Sequence, residues 1–173
     1  MRSERLIYLP LGGAGEIGMN AYVYGYGAQD AERLIVVDLG VTFPDMDGTP
    51  GVDLILPDIA WLAERRDQID GIFITHAHED HVGAVAHTYD RLGAPIYARP
   101  FPAIIARRTI DEAGHDEEPA RFLPNWPQQF QAGPSTVGFF SASPSHTSRH
   151  FFFTYTPHVQ QLLPSEEGRL SGR

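Results

Sequence analysis

Apolar and polar positions alternate in the first part of the chain and then change period. Leu6 and Tyr8, then Ala21 and Val23, alternate with other residues over 5–11 and 20–26, where β-forming residues dominate, so both stretches are predicted strands. The glycine-rich segment from Gly12 to Gly18 between them is a turn. Residues 33–38 (Arg-Leu-Ile-Val-Val-Asp) are apolar without alternation, as a strand buried on both faces requires, and Gly40 closes the run. The stretch 41–56 carries Pro44, Gly48, Pro50 and Gly51 among aspartates and reads as an ordered surface loop. From Pro57 the period becomes helical. Pro57 suits a first helical position, Asp58 suits the positive helix end, and Ile59, Leu62 and Ala63 form a buried stripe that ends near Gly71.

Residues 72–75 (Ile-Phe-Ile-Thr) predict a short buried strand, Val82 to Leu92 a helix, Ile96 and Tyr97 a further strand, and 102–114 a helix stopped by Gly114. The stretch 115–136, with Pro119, Pro124 and Pro127, reads as irregular. Strands alternating with helices after a β-rich start give an α/β fold, an α+β sandwich, and no internal repeat is present.

Length and composition narrow this further. With 173 residues and 42% hydrophobic content, the chain fits one globular domain with a layered core. No run of eighteen apolar residues occurs, and Met-Arg-Ser-Glu-Arg at the start lacks the apolar stretch of a signal peptide, so no membrane partner and a cytoplasmic location are expected. The absence of cysteine removes disulfides, thiolate nucleophiles and cysteine-based zinc sites. Thirteen basic against twenty-two acidic residues give a net charge of −9, which argues against a protein that coats duplex nucleic acid, although a local basic groove stays open.

The candidate chemistry lies in Thr75-His76-Ala77-His78-Glu79-Asp80-His81, between a predicted strand and a predicted helix. In an extended segment residues two apart point the same way, so His76 and His78 are expected to share one metal ion. Where the chain turns into the helix, neighbouring residues diverge, which sends Asp80 and His81 towards a second ion. Nitrogen and oxygen donors suit Zn2+, two ions here, with Mn2+ as the alternative. Asp80 and His81 are also the expected catalytic residues. A lone histidine is ordinarily a surface residue, but three histidines and an aspartate within six positions at a strand exit mark a site.

The pattern His-x-His-x-Asp-His resembles that of metallo-β-lactamase-fold hydrolases. Together with Leu11-Gly12-Gly13-Ala14-Gly15-Glu16-Ile17-Gly18-Met19-Asn20, the Val37-Asp38-Leu39-Gly40 turn, Phe43-Pro44 leading to Ile55-Leu56-Pro57-Asp58, and Gly71 to Ala84, the chain is similar to the ribonuclease J family over about residues 5–110. The resemblance implies the N-terminal portion of an αββα metallo-β-lactamase fold. It also implies a metal-dependent ribonuclease, exonucleolytic from 5′ to 3′ and endonucleolytic, in which metal-activated water attacks a phosphodiester of an RNA substrate. It assigns His76 and His78 to one zinc, Asp80 and His81 to the other, and makes Asp38 a residue that orients a ligand from behind.

The family pattern needs a further histidine on a later strand, for which His146 is the candidate and His150 the alternative, and then a Thr-Gly-Asp turn that does not follow here. Residues 1–140 are therefore expected to form a partial metallo-β-lactamase domain, and 141–173 a divergent or poorly ordered tail. Weak metal binding and little nuclease activity are expected of these residues alone. The resemblance also implies assembly into homo-oligomers for full-length members of the family.

Rival readings remain. Gly13, Gly15 and Gly18 with Asp38 match a dinucleotide-binding pattern, but that pattern needs a helix at the glycines, and Asn20-Ala-Tyr-Val-Tyr-Gly-Tyr-Gly reads as a strand. Asp45, Asp47 and Asp53 can bind a structural Ca2+ or serve only as turn formers. Arg65, Arg66, Arg99, Arg107 and Arg108 can contact phosphate or be solvated. His87 and His115 lack ligand spacing. A hydrolase of small esters or thioesters and a non-catalytic binding module are the functional alternatives.

Overall fold

The computed structural model describes residues 4–44, 51–115, 120–122, 130–141, 150–156 and 159–163. Strands β1 (Glu4–Gly12), β2 (Ala21–Ala28) and β3 (Arg33–Val37) form an antiparallel meander. Then β4 (Ile69–Ile74), β5 (Ile96–Ala98) and β6 (Ala120–Phe122) add in parallel, giving a six-stranded sheet in chain order. A second, antiparallel sheet has the order β10 (Val159–Leu163), β9 (His150–Thr156), β8 (Ser135–Ser141), β7 (Phe130–Ala132). The helices are α1 (Ala60–Ala63), α2 (Glu79–Val82), α3 (Val85–Leu92) and α4 (Pro100–Glu112).

The unbroken apolar runs of β3 and β4 follow from burial on both faces. Leu34 and Val36 with Ile72 and Ile74 enter a core that also holds Leu62, Val85, Leu92 and Ile110 from the helical side. Ile35, Val37 and Phe73 enter a second core shared with Ala132 and Val137 of the other sheet. The layers among the described residues are thus helices, mixed sheet and antiparallel sheet, as the αββα expectation requires of this portion. The helical expectation over Val85–Leu92 holds, and Gly93 ends the helix in the left-handed conformation, with φ 61° and its N–H on the Tyr89 carbonyl.

Several boundaries differ from expectation. The helix expected from Pro57 to Gly71 is a single turn at Ala60–Ala63, preceded by an Asp58 carboxylate that accepts from the Ala60 N–H at 2.9 Å, and followed by a 3-10 turn at Arg66–Gln68. The strand then begins at Ile69, three residues early, because Ile69 pairs with Leu34 and Asp70 is held by Arg33. The helix read from Val82 starts earlier and is interrupted: the Ala84 N–H is drawn to the Leu39 carbonyl at 2.8 Å, which separates α2 from α3. The stretch 115–136, read as irregular, contains β6 and β7. Strands β9 and β10 lie within residues 141–173. Ala14–Gly18 forms bends leading into β2, and no helix starts at the glycines, which removes the dinucleotide-binding geometry.

Candidate metal centre

Two backbone segments meet to build the site. Strand β3 runs out through Asp38 to Val41, and this extension is stitched to the start of α2: Leu39 N–H bonds the His81 carbonyl at 2.9 Å and Val41 N–H bonds the Glu79 carbonyl at 3.0 Å. The residue ahead of β2 joins the same segment, since the Asn20 N–H bonds the Asp80 carbonyl at 2.9 Å and the Gly40 N–H bonds the Asn20 carbonyl at 2.9 Å. Gly40 lies so close to α2 that a Cβ there would fall on the Asp80 carbonyl. Its lack of a side chain is therefore a packing requirement of the site.

His76, Asp80 and His81 come together, each offering one ligand atom, with those atoms all within 4.8 Å of one another. His76 and His81 are buried and Asp80 is partly so. Helix α2 folds back over the strand exit and carries Asp80 and His81 to His76. His78 precedes α2, is exposed, and sets its ring 4.7 Å from that of His76, outside the three-residue group.

A buried hydrogen-bond chain fixes the two imidazoles. The Asp38 carboxylate accepts from the Thr75 N–H at 2.8 Å, the Thr75 hydroxyl at 2.8 Å and His81 Nδ1 at 2.8 Å. With its proton donated to Asp38, the Thr75 hydroxyl is left to accept from His76 Nδ1 at 3.1 Å. In their neutral forms both histidines thereby place the proton on Nδ1 and turn the Nε2 lone pair to coordination. Asp38 adopts a left-handed backbone, φ 61°, a conformation that aspartate tolerates better than most residues. Burial, the neighbouring His81 and the nearby His78 push the His76 imidazole down to about 4, against the opposing pull of Asp38 and Asp80. A neutral imidazole with a free lone pair is the state a divalent ion requires, so the donor set and its tautomers fit such an ion.

Asn20 is a site residue that sequence reasoning missed. It is fully buried, and its Nδ2 lies 3.2 Å from His81 Nε2 and 3.4 Å from Asp80 Oδ2, while the Tyr22 hydroxyl donates to its Oδ1 at 2.9 Å. A polar residue at the entry to an apolar strand was the available signal, but its partners lie sixty positions away.

The other candidates separate from this centre. His146, Asp45 and Asp47 lie outside the described residues, and of His150 only the backbone is described, in β9. Asp53 is exposed and belongs to no metal-ligating group among the described residues. Arg65 packs on Trp61 at 4.3 Å, and Arg108 pairs with Glu112 one turn along α4. His115 pairs with Asp90 at 3.0 Å, and His87 is exposed. No helix among the described residues is long and apolar enough to cross a membrane.

Sequence comparison matches residues 15–158 to the metallo-beta-lactamase superfamily. The chain is 52% identical over 114 residues to ribonuclease J of Sinorhizobium meliloti, an alignment covering 65% of this chain and 20% of that protein. It is 29% identical over 144 residues to ribonuclease J 2 of Staphylococcus aureus, covering 83% of this chain and 25% of that one. The chain thus spans a quarter or less of the length of these relatives. Among solved structures, MIM-2 metallo-beta-lactamase superimposes with a TM-score of 0.55 at 20% identity, covering 91% of this chain and 56% of that chain, a likeness of fold alone.

Proposed function

Because the chain belongs to the metallo-beta-lactamase superfamily, we propose that it is part of a metal-dependent ribonuclease, with His76, Asp80 and His81 holding a divalent ion. The observation that carries this reading is the three-residue donor group within 4.8 Å, backed by the Asp38 and Thr75 hydrogen-bond chain. The likeness to ribonuclease J, 52% identical over 114 residues, supports RNA as substrate. An RNA substrate also agrees with the cytoplasmic location expected from the sequence.

When bound, a divalent ion, zinc or manganese, supplies Lewis-acid chemistry, lowering the pKa of water and withdrawing charge from phosphoryl oxygens. The remaining work falls to the chain. Asp38 holds the His81 ring and its tautomer, Thr75 does the same for His76, and Asp80 adds the anionic donor that favours a hard cation. His78, exposed beside His76, is the further donor available to a second ion. Cleavage by both exonucleolytic and endonucleolytic routes, and assembly into homo-oligomers, are proposed for the protein of full relative length, with slow or no cleavage by these 173 residues alone.

Calorimetric titration of the 173-residue chain with Zn2+ and with Mn2+, and single-turnover assay on a 5′-monophosphorylated RNA, test this. Ion binding that Asp80→Ala weakens is expected. Failure of a folded sample to take up either ion overturns the hydrolase reading, and cleavage as fast as by a full-length ribonuclease J overturns the low activity assigned to the segment.

A further inference from the structure

His81 Nε2 and Asp80 Oδ2 stand 3.4 Å apart. In the neutral ring that coordinates a metal, with His81 Nδ1 donating to Asp38, His81 Nε2 and Asp80 Oδ2 are both hydrogen-bond acceptors. Two facing acceptors, the imidazole buried and the carboxylate partly so, are unfavourable unless a donor lies between them. Asn20 Nδ2 is that donor, 3.2 Å from the imidazole and 3.4 Å from the carboxylate, with one amide hydrogen for each.

The amide is itself aimed. The Tyr22 hydroxyl donates to Asn20 Oδ1, so the oxygen is turned to Tyr22 and the NH2 to the acceptor pair. Gly13, at φ 78° in the turn after β1, passes over this pair so closely that a Cβ would meet both Asn20 Oδ1 and the Tyr22 hydroxyl. The backbone groups of Asn20 are committed to Asp80 and Gly40. Side chain and main chain therefore fix the same element, the first turn of α2, from the β2 side, as Asp38 fixes it from the β3 side.

We infer that Asn20, aimed by Tyr22, is a positioning residue of the metal centre: its amide holds Asp80 and His81 in place as paired acceptors and gives up the His81 Nε2 lone pair when a divalent cation takes it. The inference rests on the metal reading of the site. It goes beyond that reading in giving the glycine-rich turn a task, which is to let the chain close over the Asn20–Tyr22 pair.

The test compares the native chain with Asn20→Ala and Tyr22→Phe. Zn2+ and Mn2+ titrations should show affinity lowered about ten-fold or more for Asn20→Ala, the range found when residues that orient metal ligands are removed, and lowered by a smaller factor for Tyr22→Phe. In protein stripped by chelation, the nitrogen-15 resonance of His81 Nε2 should move towards that of an unbonded lone pair in Asn20→Ala, while Nδ1, held by Asp38, stays. A general loss of packing would not separate the two ring nitrogens. Tyr22→Phe, which removes one oxygen atom, answers the question where Asn20→Ala fails to fold. Unchanged affinity and an unchanged Nε2 resonance in a folded variant overturn the role of Asn20 and leave the metal centre standing. If the native chain takes up neither ion, the metal centre and this role fall together.

Discussion

Asp38 Oδ2 lies 2.8 Å from His81 Nδ1 with both side chains buried, tying the end of β3 to the first turn of α2 across forty-three positions of sequence. The same carboxylate takes two hydrogens from Thr75, so one aspartate fixes the exit of β4 and the orientation of a candidate ligand together.

Replacing Asp38 separates these tasks. Asp38→Asn keeps the shape and tolerates the left-handed backbone, but it has one acceptor oxygen for three donors, and its NH2 favours moving the His81 proton to Nε2. Zn2+ affinity measured by calorimetry should fall about 10- to 100-fold with the fold retained. Asp38→Ala leaves three buried donors without their acceptor and should lower stability by about 3 kcal/mol or more in urea unfolding.

Gly40→Ala tests the close approach of β3 and α2. The added methyl would occupy the place of the Asp80 carbonyl, a backbone atom held by the Asn20 N–H, so it cannot be relieved by a rotamer change. A loss of about 3 kcal/mol, at the upper end for overpacking, is expected in urea unfolding, together with weaker metal uptake.

Acid sensitivity should trace in part to Glu32. Burial alone would raise its carboxyl, but its own backbone N–H and the Arg5 guanidinium that pairs with it bring the value below the ordinary 4.5. The unfolded chain therefore takes up this proton more readily, and stability falls as pH drops. The contribution is fully present above about 4.5 and is lost through the lower folded value. Urea midpoints at pH 7 and pH 3.5 should show the deficit of Glu32→Gln shrinking at the lower pH; a deficit equal at both would exclude the pair as its source.

Phe73 joins the two sheets on the strand that delivers His76. It is fully buried and stacks on Tyr97 with ring centroids 5.0 Å apart. Phe73→Ala should cost about 3–5 kcal/mol, read as a shift in the urea midpoint.

The residues of the candidate metal centre are legible in sequence because their spacing is local. His76, Asp80 and His81 fall within six positions, and the strand that feeds them and the helix that follows have clear periodicities. The buried runs of β3 and β4 were equally plain, since strands covered on both faces leave no alternation to misread. Element boundaries were less so. Helix α1 stops after one turn, and β4 starts at Ile69, because pairing with Leu34 and the Arg33 contact to Asp70 outweigh a helical pattern that is only a local preference.

What the chain by itself determined, then, was the donor set, the layered α/β character and the need for a tight glycine turn before β2. What only the tertiary structure decided was which donors converge: α2 folds back over the end of β4, placing Asp80 and His81 against His76 and leaving His78 exposed. It also supplied Asn20, whose buried amide has no meaning until β2, β3 and α2 are side by side. Side-chain periodicity records what a residue does within its own element, whereas partners forty to sixty positions apart meet only through long-range pairing and packing.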